Sequence, residues 1–275
     1  MTYTGPESEK VGGLYDLMIA MHEGMWDGSI HYGYWEDDSD DCGIQDAAAA
    51  LTDQMITRLE PVAGDRVLDV GCGLGVPAFQ LARACDVCVV GVSNSRKQIT
   101  QAGERSQAVG LGDRVRFEYA DAMALPFEDA TFDRAWALES MLHMPDRGQV
   151  LSEIARVLRT GGRLAIADVV QLREVDAEGR KRIDEFNESN SLSSVIPVAD
   201  YKRLMERAGL TPKEFTDITR HTARSVPAMA GEARRRRAEF ASTVGPLMLE
   251  RMILWMERLD QLDGVGYALV TAERT

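Results

Sequence analysis

The spacing of apolar residues divides the chain into a helical beginning and a long alternating region. Over residues 11–21 and 44–59, apolar side chains recur every three or four positions, which is the spacing of one helix face. From residue 61 onward, short apolar runs of strand length alternate with stretches of helical spacing. Such alternation predicts a parallel sheet with helices on both faces. We therefore expect a helical N-terminal segment over residues 1–60 and one α/β domain over residues 61–275.

Seven apolar runs are predicted to form the strands of a Rossmann-like, mostly parallel sheet. They cover residues 66–70, 87–92, 115–119, 132–138, 163–170, 213–218 and 266–272. Ligands of open α/β sheets bind at the carboxyl ends of the strands, and insertions after the fifth and sixth strands lie above that edge. We therefore expect the segments 171–198 and 222–262 to form the roof of the substrate site, the second of them as a helical lid before the last strand.

A turn with three glycines at alternate positions follows the first predicted strand. Gly71, Gly73 and Gly75 come after a strand that ends in Asp69 and Val70. Glycine has no Cβ atom, so this backbone can adopt positive φ and let a ligand approach closely. The helix that begins beyond the turn offers unpaired N–H groups. The spacing differs from the G-x-G-x-x-G of dinucleotide sites, and the Gly-Lys-Ser/Thr of a phosphate-binding loop is absent.

The pattern D-x-G-x-G-x-G at residues 69–75 resembles the first motif of class I S-adenosylmethionine-dependent methyltransferases. In that family the turn lies under the amino-acid part of the cofactor, and the acid at the strand end helps to hold it. The resemblance implies S-adenosylmethionine as cofactor and S-adenosylhomocysteine as its product. It assigns cofactor binding to Asp69, Gly71, Cys72, Gly73 and Gly75. Taken alone, the pattern also fits an ordinary tight turn between a strand and a helix.

The ends of the next three strands extend this resemblance. Residues 91–98 match the Gly-x-Ser/Thr-x-Ser…Gln pattern of a branch that includes cyclopropane-synthase-like and sugar methyltransferases, in which these residues contact the ribose. After the third strand, the family has an acid that accepts from the adenine amino group and a backbone N–H that reaches the ring. The residues implied here are Ser93, Gln98, Asp121 and Ala122, with Leu138 and Glu139 at the end of the fourth strand. The alternatives are a surface position for Gln98 and a turn cap for Asp121.

Two residues are predicted to lie at the reacting end of the cofactor. His143 follows the fourth strand, and Asp168 lies near the end of the fifth. Methylation of a hydroxyl requires removal of its proton, and a neutral histidine suits that task near neutral pH. An adjacent carboxylate can fix the tautomer of the histidine. We predict both residues to be catalytic; the alternative for His143 is that it packs the loop after the strand.

Nearly the whole chain is similar to actinobacterial natural-product methyltransferases of the rebeccamycin sugar 4′-O-methyltransferase type. The shared features include His-x-Gly-Tyr-Trp at residues 31–35 and Met-Pro-Asp-Arg-Gly at residues 144–148. That type of enzyme has two consecutive histidines where this chain has Leu142 and His143, so one candidate base is missing here. The resemblance implies methyl transfer to a small secondary metabolite, at a hydroxyl of a sugar or a polyketide.

The same branch offers a second interpretation, because some of its polyketide-pathway members keep the S-adenosylmethionine pocket and promote cyclisation without methyl transfer. Such a cyclase needs a shaped apolar pocket rather than a base. Residues predicted to line the substrate site are Trp26, Tyr32, Trp35, Leu142 and Trp255. The N-terminal aromatic residues are expected to close over the ligands and exclude water, or to staple the N-terminal helices together. A cofactor-binding sensor without catalysis is a third interpretation.

Charge and cysteine content limit the partners and the compartment. A formal net charge of −13 argues against nucleic acid and anionic membranes as partners. We therefore expect a small-molecule substrate. We also expect the chain to be a monomer or a homodimer. No apolar run reaches the roughly 20 residues of a membrane helix, and the polar N-terminus does not resemble a signal peptide. Four cysteines are too few for a disulfide framework, which predicts the cytoplasm. Cys85 and Cys88 lack further ligands at a suitable spacing, so we predict no metal site.

Overall fold

The computed structural model describes residues 28, 29, 31–190, 195–259 and 262–275. Its strands are β1 (Arg66–Val70), β2 (Cys88–Ser93), β3 (Val115–Tyr119), β4 (Phe132–Leu138), β5 (Leu158–Gln171), β6 (Leu210–Asp217) and β7 (Val265–Arg274). Its helices are α1 (Ile44–Leu59), α2 (Val76–Ala84), α3 (Arg96–Ala108), α4 (Arg147–Val157), α5 (Ala177–Asn190), α6 (Val198–Arg207), α7 (Thr219–Thr222), α8 (Ser225–Arg235), α9 (Arg237–Val244) and α10 (Pro246–Leu259). The helix predicted over residues 11–21 lies outside the described residues. None of the helices in the described ranges is long and apolar enough to cross a membrane.

The strands form one sheet in the order β3-β2-β1-β4-β5-β7-β6. Only β7 is antiparallel to its neighbours, β5 and β6, and the other pairings are parallel. The predicted Rossmann-like, mostly parallel sheet is therefore confirmed. The chain moves outward from β1 to β3 and then returns to place β4 on the other side of β1. In open α/β sheets the ligand crevice lies at such a reversal, beyond the carboxyl ends of the strands.

Helices cover both faces of the sheet because its central strands are apolar on both sides. In β1, Val67 packs on one face in a cluster with Leu51 of α1, and this cluster extends to α2, α8 and α10. The next residue, Leu68, packs on the opposite face in a cluster with Leu151 of α4 and with side chains of α6. All four residues are fully buried. The sheet is thus held rigidly between two apolar layers, and its carboxyl edge is a fixed platform.

The predicted bounds of the fifth strand and of the helical stretch before the last strand differ most from the structure. β5 begins at Leu158 rather than at residue 163, and its register against β4 passes from Phe132↔Leu158 to Arg134↔Arg163. Residues 159–162 therefore form a bulge inside this strand, with Gly161 in the left-handed region at φ +75°. The helical stretch predicted over residues 222–262 is divided into the three helices α8, α9 and α10, and Gly245, at φ +86°, separates α9 from α10.

We expect Gly75→Ala to destabilise the protein more than Gly209→Ala. Both glycines have φ of +81°, so alanine brings the same left-handed strain of about 1–2 kcal/mol at either position. A Cβ atom at Gly75 would lie 2.4 Å from Cζ of Phe117, whereas one at Gly209 would meet nothing within 4 Å. The overpacking at Gly75 adds about 1–3 kcal/mol. Urea unfolding without cofactor measures the difference, and equal midpoints would contradict it.

Candidate functional site

A cleft opens at the carboxyl edge of the sheet, where the chain order reverses. Its empty volume, including the open mouth, is about 950 Å³. The cleft is bounded by the turn after β1 and by the segments that follow β2, β3 and β4. The predicted site residues that line it are Asp69, Gly71, Cys72, Gly73, Ser93, Gln98, Asp121, Ala122, Leu138, Glu139 and His143.

The glycine turn is shaped by close contact with the end of β4. Gly71, Gly73 and Gly75 all have positive φ, at +81°, +53° and +81°. A Cβ atom at Gly71 would lie 2.2 Å from Cβ of Ser140, so no other residue fits without movement of one strand end. The structure places Gly75 away from the cleft lining, because it precedes α2 and packs against Phe117. Its role is to start the helix rather than to line the cleft.

Asp69 supplies the cleft with a buried acid. Its side chain lies on the lining, yet the residue is only 3% exposed. Its Oδ2 atom has no hydrogen-bond partner among the described residues. Burial raises the pKa of Asp69 from 3.8 to about 7. A buried carboxylate oxygen without a partner fits a cationic ligand group, and the amino group of S-adenosylmethionine is such a group.

The segment after β2 presents a small hydrogen-bond network. The hydroxyl of Ser93 donates to Oε1 of Gln98 over 2.8 Å and accepts from the N–H of Ser95 over 3.1 Å. Ser95 also caps α3, because its Oγ accepts from the N–H of Gln98 over 3.1 Å. Gln98 is buried rather than exposed, which is the opposite of the surface position considered for it. Its amide is therefore held in one orientation on the cleft lining.

In the segment after β3, Asp121 both caps the local turn and lines the cleft. Its Oδ1 accepts from the N–H of Met123 over 2.9 Å, so the side chain does organise the local turn. Asp121, Ala122 and Met123 also line the cleft. Since the turn uses Oδ1, the carboxylate keeps its other oxygen as an acceptor for a ligand.

His143 lies on the cleft lining, at the end of a short 3-10 helix, Met141–His143. Burial lowers its pKa from 6.5 to about 4, and the positive charge of Arg147 acts in the same direction. The imidazole is therefore neutral near neutral pH. A neutral imidazole on a ligand cleft is able to accept a proton.

The structure does not bring Asp168 to the cleft lining with His143. Asp168 is fully buried in β5 on the face covered by α6. The hydroxyl of Tyr201 donates to its Oδ2 over 3.3 Å, and Nη2 of Arg147 lies 3.8 Å from the same oxygen. Burial raises the pKa of Asp168 to about 6, against the opposing charge of Arg147. The predicted orienting carboxylate therefore belongs to a buried pair with Arg147, which also acts electrostatically on His143.

The predicted substrate-site residues separate into different environments. Tyr32 stacks on Tyr267, with ring centroids 5.1 Å apart. Trp35 is buried among helices, and its indole N–H donates to the carbonyl of Cys42 over 3.0 Å, which supports the packing interpretation for this residue. Leu142 is buried in the core and is not on the cleft lining. The predictions for Trp26 and for the side chain of Trp255 lie outside the described residues.

His31 and Ser140 are among the cleft residues that the sequence analysis did not assign to the site. His31 lines the cleft, with Nδ1 2.8 Å from the carbonyl oxygen of Tyr32, and burial lowers its pKa to about 4. Its place in an aromatic segment was the available signal. Ser140 also lines the cleft, and its hydroxyl donates to the carbonyl of Val70 over 2.5 Å. Nothing in the sequence marks that contact.

Comparison with known proteins agrees with this architecture. A family model described as "Methyltransferase domain" matches residues 61–209. Methyltransferase GfsG of Streptomyces halstedii is 44% identical over 222 residues, covering 81% of this chain and 80% of its own. The 27-O-demethylrifamycin SV methyltransferase of Amycolatopsis mediterranei (strain S699) is 37% identical over 276 residues, covering 98% and 99% of the two chains. The chain therefore belongs to the S-adenosylmethionine-dependent methyltransferases.

Solved structures extend the comparison to the whole fold. The crystal structure of the [4+2]-cyclase SpnF aligns with a TM-score of 0.87 and 31% identity over 100% of this chain and 99% of that one. Geranyl diphosphate C-methyltransferase from Streptomyces coelicolor A3(2), solved with S-adenosyl-L-homocysteine, aligns with a TM-score of 0.74 and 19% identity over 98% and 97% of the chains. The second similarity shows a common fold. S-adenosylmethionine is the cofactor of this family.

We expect the free energy of unfolding of the wild type, measured relative to that of the Asp69→Asn variant, to fall as pH rises. The unfolded group ionises near 3.8, whereas the folded group has a pKa of about 7. Between these values the folded chain retains a proton that the unfolded chain has released, so the wild type loses about 1.4 kcal/mol per pH unit relative to the variant. Above the folded pKa the difference becomes constant. Urea unfolding at several pH values without cofactor measures it, and a difference that is flat or rises with pH would contradict the effect of burial.

Proposed function

We propose that this enzyme transfers a methyl group from S-adenosylmethionine to a hydroxyl of a small natural product, a sugar or a polyketide. The observation that carries the proposal is a neutral imidazole, His143, on the lining of the cofactor cleft. Relatives named for oxygen methylation support the choice of acceptor atom. They include the rifamycin enzyme and the erythromycin 3''-O-methyltransferase of Saccharopolyspora erythraea, which is 33% identical over 214 residues.

Residues along the cleft are proposed to hold the cofactor from one end to the other. Asp69 accepts from its amino group, and the glycine turn lies under its amino-acid part. Ser93 and Gln98 face the ribose, and Asp121 with the N–H of Ala122 faces the adenine. Leu138 and Glu139 complete the wall at the end of β4. When bound, S-adenosylmethionine supplies an electrophilic methyl group on a sulfonium sulfur.

His143 is proposed to act as the general base. The acceptor hydroxyl gives its proton to the neutral imidazole as its oxygen forms a bond to the methyl carbon, and the carbon–sulfur bond breaks to leave S-adenosylhomocysteine. The low pKa of His143 keeps the imidazole unprotonated at neutral pH. General-base catalysis of this kind contributes about 10²- to 10⁴-fold. Asp168 is proposed to act through Arg147, its buried ion-pair partner, rather than by contact with the substrate.

The charge of the cleft supports a neutral acceptor. Its described lining includes the three acids Asp69, Asp121 and Glu139, and no lysine or arginine. An acceptor that carries a diphosphate would place negative charge beside buried carboxyl groups without a cation to balance it. An uncharged hydroxyl avoids that cost. A small-molecule substrate, rather than nucleic acid or a membrane surface, is part of the same proposal.

We also propose that residues 1–60 form an N-terminal helical lid and preface to the methyltransferase domain of residues 61–275, with α1 packed on the sheet and with 171–198 and 222–262 as the substrate roof. Residues 31–35 support this division. His31 lines the cleft, whereas the N–H groups of Tyr34 and Trp35 donate to carbonyl groups of α1 and α7. The protein is proposed to act as a monomer or homodimer in the cytoplasm. Its four cysteines are all free, as in a reducing compartment.

A second candidate function is cyclisation without methyl transfer. The observation that favours it is the 31% identity and the TM-score of 0.87 with the [4+2]-cyclase SpnF over the full chain. The two functions differ in the mass of the product. Incubation with labelled S-adenosylmethionine and a panel of glycosides and macrolides should give a product heavier by one labelled methyl group. An isomer of unchanged mass would instead support the cyclase.

We expect His143→Ala to lower kcat by about 10²- to 10⁴-fold while leaving the dissociation constant for S-adenosylhomocysteine within about threefold of the wild type. The variant removes the proton acceptor and leaves the acids and the glycine turn of the cofactor site in place. Methylation kinetics with an acceptor from the panel measure kcat, and calorimetry measures the affinity. Added imidazole should restore part of the rate. Unchanged kcat would exclude His143 as the base.

The pH profile gives an independent test of the base. With saturating cofactor, kcat/KM for the acceptor should stay flat from about pH 7 down to about pH 5, because the pKa of His143 is lowered to about 4. A histidine at its ordinary pKa of 6.5 would lose half of its activity near that value. The comparison applies over the pH range in which circular dichroism shows the protein to be folded. An acid limb centred near the ordinary value would contradict the lowered pKa.

A further inference from the structure

The carboxyl group of Glu139 joins three separate parts of the chain at the cleft. Glu139 follows β4 and lines the cleft. Its Oε1 accepts from the N–H of Tyr32 over 2.6 Å and from the hydroxyl of Tyr267, in β7, over 2.6 Å. The rings of the two tyrosines also stack on each other at 5.1 Å. One oxygen atom therefore holds the N-terminal segment and the last strand together beside the ligand site.

The backbone of Glu139 is held in an unfavourable conformation. Its φ is +49°, in the left-handed region, although it is not a glycine. Such a conformation is unfavourable for a residue other than glycine and persists only when its surroundings hold it in place. Its N–H donates to the carbonyl of Ala167 in β5 over 2.8 Å, which fixes the strand end. Conformations of this kind cluster at functional sites.

Residues 31–35, which we call the strap, are tied to three helices and to the segment after β4. The N–H of Gly33 donates to Oγ of Ser225 in α8, that of Tyr34 to the carbonyl of Ala47 in α1, and that of Trp35 to the carbonyl of His221 in α7. These three acceptor residues are not on the cleft lining. Of the four N–H groups from Tyr32 to Trp35, only that of Tyr32 ends on a side chain of the cleft, Glu139. The strap therefore meets the contents of the cleft at His31, which lines the cleft, and through the hydrogen bond from Tyr32 to Glu139.

The charge of Glu139 depends on what the cleft contains. Burial raises its pKa to about 8; hydrogen bonds from Tyr267 and Tyr32 oppose this effect, and the nearby charge of Asp168 adds to it. The group is thus mostly protonated near neutral pH without a ligand. S-adenosylmethionine carries an ammonium and a sulfonium group, and a cation in the cleft favours the carboxylate. Hydrogen bonds to a carboxylate are shorter and roughly twice as strong as those to a neutral acceptor.

We propose that Glu139 is a positioning residue that couples the positive charge of the bound cofactor to the docking of the strap over the cleft. The inference rests on the proposed placement of S-adenosylmethionine in this cleft. Ionised Glu139 holds the N–H of Tyr32 more tightly, so the strap closes when the cofactor is present. By reciprocity, a docked strap raises the affinity for the cofactor by the same factor.

Hydrogen exchange with and without saturating S-adenosylmethionine tests the coupling. The key variant is Glu139→Gln, which keeps an oxygen acceptor at the same distance but cannot ionise. In the wild type, the cofactor should slow exchange both in the turn at residues 71–75 and in the strap. In Glu139→Gln the turn should still be protected, while the cofactor-dependent gain in the strap should fall at least about fivefold.

Ser225→Ala is the matched control, since it removes a strap anchor that is not on the cleft lining. It should lower protection of the strap equally with and without cofactor and leave the cofactor-dependent gain unchanged. If Glu139→Gln behaved in that way, Glu139 would be a structural anchor only and the coupling would be overturned. A full cofactor-dependent gain in Glu139→Gln would overturn it as well. Absence of turn protection in the wild type would instead contradict the placement of the cofactor, and the coupling with it.

Discussion

The close approach of two strand ends is the constraint on which the site depends. The turn after β1 packs against Ser140, the residue that follows Glu139. At Gly71 there is space for a hydrogen atom and nothing larger. Ser140 closes the contact with its hydroxyl on the carbonyl of Val70. Because the two ends are locked together, Asp69 on one strand and His143 beyond the other face a single cleft. Chain segments about 70 residues apart thereby act as one site.

Burial shifts the charge states of the acids and histidines of this cleft. Burial raises the pKa of Asp69 to about 7 and that of Glu139 to about 8, so both groups are partly protonated near neutral pH. Burial lowers the pKa of His31 and of His143, so both remain neutral. The same physical cause thus favours a cationic cofactor and leaves an uncharged proton acceptor next to it.

The mostly parallel sheet and the meeting of several predicted site residues at its carboxyl edge were predictable because they follow from local patterns. Parallel strands end at one edge, so Asp69, Ser93 and Asp121 had to meet once the strands were recognised. The position of Asp168 was not predictable in this way. Its strand is apolar on both faces, so the alternation of side chains is hidden, and Asp168 points away from the cleft lining toward Tyr201. The contact between Tyr32 and Glu139 joins residues 107 positions apart, and no local pattern reports it.

The position of β7 has a consequence for the order of folding. β7 is the last strand in the chain, yet it lies between β5 and β6 and pairs with both. During synthesis, β6 therefore has no neighbour in the sheet until β7 has emerged and been inserted. Tyr267, which helps to hold Glu139, arrives with the same strand. The scaffold of β1 to β5 can form early from contacts nearby in sequence, whereas closure of the cleft waits for a late, long-range step.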